Sequence, residues 1–158
     1  VRAGLLELTI DSDAMLARFA AAIDAFGNTT GWWNRLLGDG ADRMNLKKEG
    51  IFPLVHGVRS LALAHRLTET GTEARIAALV RAGPLSRDTG QELTGALHFF
   101  MALKLKAGLA EMERGEPVSG AVDVPGLTTL DRDLLKDALG VVKRFKAQLR
   151  HRFKLGAL

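Results

Sequence analysis

Apolar and polar positions alternate along this chain with a helical period. The first segment predicts a helix from Asp11 or Ser12 to about Phe26, capped by those residues and stopped by Gly27-Asn28. A short turn through Trp32-Trp33 follows, its tryptophans read as a plug for one end of a core, and then a polar connection over 38–48. Pro53 favours the first turn of a second helix, running to about Thr68. Thr70-x-x-Glu73 has the form of a capping box for a third, closed near Arg81 by Gly83-Pro84. Ser86 caps a long helix to about Arg114, a Gly- and Pro-containing loop spans 115–126, and Thr128 caps a last helix to about Lys154. Only the short Leu5–Ile10 stretch alternates with the period of a strand. The pattern predicts an all-α up-and-down bundle of about four long helices with short helical turns.

The last helix has the clearest wheel. Leu130, Leu134, Leu135, Ala138, Val141, Val142, Phe145, Leu149 and Phe153 share one broad face, and Arg132, Lys136, Lys143, Lys146, Arg150 and Lys154 lie opposite. On the Pro53 helix, Leu54, Val58, Leu61 and Ala62 form a stripe that includes His65, read as a core histidine bonded to a neighbour. That helix is apolar over most of its circumference, so it is expected at the centre. Arg59 and Arg66 project from a third side. A buried guanidinium is costly unless paired, so Arg59 requires a carboxylate, a set of carbonyls or an anionic ligand. On the Ser86 helix, Leu93, Leu97, Phe100 and Met101 define the stripe and Lys104 lands within it, either snorkelling outward or pointing into a cleft beside Arg59. Two cations converging on a cleft suit a phosphate or carboxylate.

Composition narrows the classes. The chain has 158 residues, the length of one ordinary domain, and no cysteine, which excludes disulfides and thiolate chemistry and makes a cytoplasmic setting the default. No apolar run approaches the roughly 20 residues of a membrane span. The net charge of +4 is uneven: from Lys136 onward seven Lys and Arg face one acid, Asp137. A nucleic-acid reading of this basic face predicts steep salt dependence and ranks last, because no aromatics interleave with the charges. There is no Walker loop, no G-x-G-x-x-G and no G-x-S-x-G elbow. His56, His65, His98 and His151 are scattered at spacings that do not suit a metal. No catalytic set is visible, and neither metal nor cofactor is expected within the chain.

One run is more specific. Leu46-Lys47-Lys48-Glu49-Gly50-Ile51-Phe52-Pro53-Leu54-Val55-His56-Gly57-Val58-Arg59-Ser60-Leu61-Ala62-Leu63 resembles the hallmark of a bacterial family of nucleotidyltransferase substrate-binding domains. Thr70–Arg75, Leu103-Lys104-Leu105-Lys106 and Leu127–Ala138 resemble its later motifs in order. Departures stand at Asn45, where an Asp is usual, at Ala107, where a Gln is common, and at Gly120, where an Asn is common. Such domains follow a nucleotidyltransferase domain, often behind a cyclic-nucleotide-binding domain and a CBS pair, and are akin to the accessory helices of the uridylyltransferase that modifies the PII signalling protein. The resemblance implies an N-terminal helix and linker over 1–44 leaving the transferase domain, and a substrate-binding bundle over 45–158. It implies that magnesium and a nucleoside triphosphate bind in the upstream domain, while this one holds a protein or small-molecule acceptor. Arg59, Lys104, Lys47, Lys48, Arg75 and His56 are the candidate substrate-binding residues, the cations lining a cleft that faces the transferase domain. The alternative is a packing or homodimerisation module with no ligand of its own, marked by a sizeable exposed apolar patch.

Overall fold

A computed structural model of the protein describes residues 13–25 and 43–155. The Leu5–Ile10 stretch, the Trp32–Trp33 turn and both expected ends of the first helix lie outside them. Five α-helices carry the described fold: α1 Asp13–Ala21, continued by a 3₁₀ turn Ala22–Ala25, α2 Phe52–Ala64, α3 Thr72–Ala82, α4 Arg87–Glu113 and α5 Thr129–Phe153. The all-α expectation holds, with one addition. Arg43–Asn45 (β1) pairs antiparallel with Ala121–Asp123 (β2), in the register Arg43↔Asp123, Met44↔Val122, Asn45↔Ala121. The sequence placed these residues in a connection and a loop, because three residues are too few to display alternation. Burial of Met44 and Val122, 1% and 2% exposed, holds the ladder on the bundle.

The expected caps hold at two helices and fail at a third. Ser86 Oγ accepts the Thr89 N–H at 3.1 Å, and Thr128 Oγ1 accepts that of Asp131 at 3.1 Å. Thr70 is not the cap of α3. That helix starts from extended Gly71 with no side-chain cap, and Glu73 turns instead to the His98 ring on α4, 2.6 Å away. Gly83, at φ 96°, closes α3 in the left-handed region. Helices α4 and α5 run antiparallel: Glu92 meets Arg144 at 3.0 Å near one end and Lys106 meets Asp131 at 2.8 Å near the other. Helix α1 packs against α2 and α5, so residues 13–25 share the core of the later helices.

The wheel of α5 needs three corrections. Leu130 and Leu134 are 69% and 41% exposed, Leu139 is buried, and Lys146, placed on the polar face, is only 4% exposed. The 3₁₀ turn and the turn before α2, which the periodicity did not reveal, bring Asp24 and Glu49 toward Lys146. Burial holds its ammonium below the ordinary lysine range. The fields of Asp24 and Glu49 counter that shift and Arg150 adds to it. On α4, Leu93, Leu97 and Phe100 are buried as expected, whereas Met101 is 56% exposed.

The entry to α2 fixes the rest. Lys47–Ile51 forms a π-helical turn, closed by the Phe52 N–H on the Lys47 carbonyl. A Cβ at Gly50 would lie 2.7–2.9 Å from three atoms of the Phe100 ring. Only glycine lets this fully buried ring seat against the backbone of the turn. At the far side of the ladder a buried carboxylate does similar work. Glu111, 2% exposed on α4, accepts the Ser119 N–H at 2.8 Å, the Ser119 hydroxyl at 2.5 Å and the Arg43 guanidinium. Ser119 Oγ in turn accepts the Ala121 N–H at 3.1 Å. One carboxylate thus ties α4, the loop after it and β1 together, and these bonds, those from Ser119 foremost, hold it below the usual carboxylate range.

Two stability measurements test this scaffold. Gly50→Ala forces a methyl into Phe100 and is expected to cost about 1–3 kcal/mol, read by calorimetry as a fall in melting temperature of about 2–4 °C for each kcal/mol; an unchanged melt contradicts the contact. For Glu111, a depressed carboxylate stabilises the fold above its ordinary value near 4.5 and loses that contribution as pH falls through the depressed one. Urea midpoints followed downward from pH 7 should therefore drop less steeply in Glu111→Gln than in the parent, from a lower starting point. Parallel curves refute the role.

Candidate functional site

The ladder, the π-turn and α4 meet at one corner of the bundle, and this corner gathers three of the six candidate residues. Lys47 and Lys48 open the π-turn and are exposed. The Lys48 N–H is held by Asn45 Oδ1 at 3.1 Å, tying the turn to the end of β1. Asn45 sits opposite Ala121, and the residue before Ala121 is Gly120, where a Cβ would stand 3.7 Å from Lys104 Cε. Lys104 lies one turn past Phe100 and two turns before Glu111, on the side of α4 that faces the turn and the ladder. It is half-buried beneath Gly120. No ion pair of Lys47, Lys48 or Lys104 with an acid exists among the described residues.

The other three candidates are elsewhere. Arg59 is exposed, which overturns the expectation that it is a buried guanidinium in need of a partner. Helix α2 is buried around most of its circumference, as its composition predicts, and Arg59 occupies the narrow strip left open to solvent beside half-buried Val55 and Leu63. Helix α4 meets this part of the chain chiefly through the π-turn. Arg75 is half-buried on α3, whose neighbours are α2 and the first half of α4. His56 is buried: its Nε2 lies 2.6 Å from the Phe19 carbonyl and its ring stacks on Phe52 at 5.7 Å, so it joins α1 to α2. His65 closes α2, where its Nε2 takes the Arg152 guanidinium; burial, and then Arg152, hold its imidazole below the ordinary histidine range.

Beside the corner opens a cleft of about 280 Å³, lined by Arg43, Lys106, Glu111, Arg114 and Asp123 over Ala107 and Leu127. Sequence reasoning missed Arg43, Glu111 and Arg114, since nothing in a helical wheel announces a ladder that brings β1 onto α4. Its cations are engaged: Arg43 by Glu111, Lys106 by Asp131 at 2.8 Å and Arg114 by Glu116 at 2.9 Å. The cleft is thus nearly charge-balanced. Larger hollows, about 590 Å³ between α1 and α5 and about 690 Å³ along α3 and α4, contain none of the six candidates. The positions where the chain departs from the motifs it resembles also fall at this end: Asn45 in β1, Gly120 before β2 and Ala107 in the cleft floor. Alanine and glycine supply no side-chain amide, so the lysines dominate its polarity.

The C-terminal basic run is mostly committed to the fold. Lys136 meets Asp133, Arg144 meets Glu92, Arg150 meets Asp24, Arg152 meets His65, and Lys146 is buried. Among the described residues no three acids or histidines are grouped to hold a metal ion, and no helix is long and apolar enough to cross a membrane.

No curated protein and no solved structure matches the chain. A family model does, from residue 13 to residue 153, taking in α1 to α5, the ladder and the lysine corner. The chain belongs to the family of nucleotidyltransferase substrate-binding domains.

Proposed function

We propose that this domain holds an anionic acceptor at the corner formed by Lys47, Lys48 and Lys104, and presents it to a nucleotidyltransferase domain of the same bacterial signalling polypeptide. The family match over residues 13–153 carries the reading. The geometry supports it with three lysines that form no ion pair among the described residues, drawn from two separate sequence motifs and set beside an apolar-floored cleft. The chain's own part is binding and orientation. Ammonium groups on an anchored backbone attract phosphate or carboxylate without dictating one geometry, which suits an acceptor rather than a reacting nucleotide. Bond-making, with its magnesium and nucleoside triphosphate, belongs to the transferase domain. A second reading, a packing module without a ligand, has one observation in its favour, the exposed apolar side of α4.

The test uses the full polypeptide, a radiolabelled nucleoside triphosphate and an extract of the host cells as the source of acceptor. Charge reversal at all three lysines (K47E, K48E and K104E together) is expected to lower label transfer by about tenfold or more, the effect of losing charge-assisted contacts at one site. Nucleotide binding by the transferase domain and the melting temperature should stay unchanged. Undiminished transfer removes the corner from the mechanism.

A further inference from the structure

The outward side of α4 bears an apolar stripe that the described chain leaves uncovered. Met101, Leu105, Leu109 and Met112 are 56%, 64%, 51% and 63% exposed. Their spacing of four, four and three residues sets them on one side of the helix. Val118, 58% exposed, widens the stripe from the following loop: a Cβ at Gly108 would stand 3.4 Å from its Cγ1. Nearer the start of α4 the same side is covered by α3, with Val80 over Gly90 and Glu73 on His98. The stripe begins where that cover stops.

We infer that this stripe is a homodimer interface in which α4 pairs antiparallel with α4 of a second copy about a twofold axis between Leu105 and Leu109. The order Met, Leu, Leu, Met reads nearly the same from either end. Antiparallel pairing sets Met101 against the partner's Met112 and Leu105 against the partner's Leu109, the self-complementarity that an isologous contact requires. Lys106, His98 and Arg114 at its border are satisfied within the chain, by Asp131, Glu73 and Glu116. The stripe itself carries no charge and suits an apolar partner. Position also favours a second copy over the transferase domain, because α1 packs on α2 and α5, and a domain joined ahead of it is tethered on that flank. Five partly exposed side chains amount to roughly 500 Å². Two copies then bring together about 1,000 Å², the lower bound of a specific interface, so the dimer is weak and concentration-dependent. The inference stands apart from the acceptor reading, since the stripe includes none of the three lysines.

Because the chain has no cysteine, single substitutions report the pairing cleanly. Met101→Cys and Met112→Cys variants, mixed and mildly oxidised, should form a disulfide-linked pair that neither variant forms alone. Sedimentation equilibrium of the parent chain should show monomer and dimer exchanging with concentration. Leu105→Asp with Leu109→Asp should raise the dissociation constant at least about tenfold with the circular dichroism spectrum unchanged. A monomer at every concentration, or cross-linking by Met101→Cys alone, overturns the proposal.

Discussion

The ring of Phe100 occupies the space that a side chain at position 50 would need. That single close approach joins the longest described helix to the turn that opens α2, and much of the fold can be traced from it. With the ring seated, the backbone accommodates an extra residue as a π-helical turn. The turn displays Lys47 and Lys48 outward and directs Glu49 toward buried Lys146. The strand just before the turn is then aligned with β2, and Asn45 closes the junction through the Lys48 amide. Glu111, two turns further along α4 than Lys104, anchors the opposite end of the same assembly through Ser119 and Arg43.

Electrostatics sorts the surface into committed and available charge. Most cations of α5 and all those of the cleft beside the ladder face an acid or a neutral imidazole, so they stabilise the packing modestly and attract little from outside. Lys146 is the extreme case, a lysine enclosed by the bundle with acids from two neighbouring turns to offset its desolvation. Lys47, Lys48 and Lys104 differ in forming no ion pair among the described residues. The family assignment says what class of domain this is.

Helical periodicity was enough to read α2 to α5, with Ser86 and Thr128 as caps and Gly83 as a stop, because those signals act within one turn of chain. It failed wherever a tertiary contact decides the outcome. Thr70 looked like a cap, but Glu73 is drawn away by His98. Lys146 looked solvated, since the acids that face it sit on turns with no periodic signature. Arg59 looked buried because the wheel of α2 is apolar nearly all round, and a wheel cannot show which strip its neighbours leave open. The corner itself was half legible: the motifs held Lys47, Lys48 and Lys104. Their meeting depends on a three-residue ladder and a glycine–phenylalanine contact between positions fifty residues apart.

The most direct test of that convergence is a distance measurement in solution. Treatment of the folded chain with a short amine-reactive cross-linker, followed by peptide mapping, should join Lys47 or Lys48 to Lys104, and Gly50→Ala should weaken the link by unseating the turn. If Lys104 were linked only to lysines of α5 while Lys47 and Lys48 reacted singly, the π-turn would not be packed on α4, and the corner would not exist.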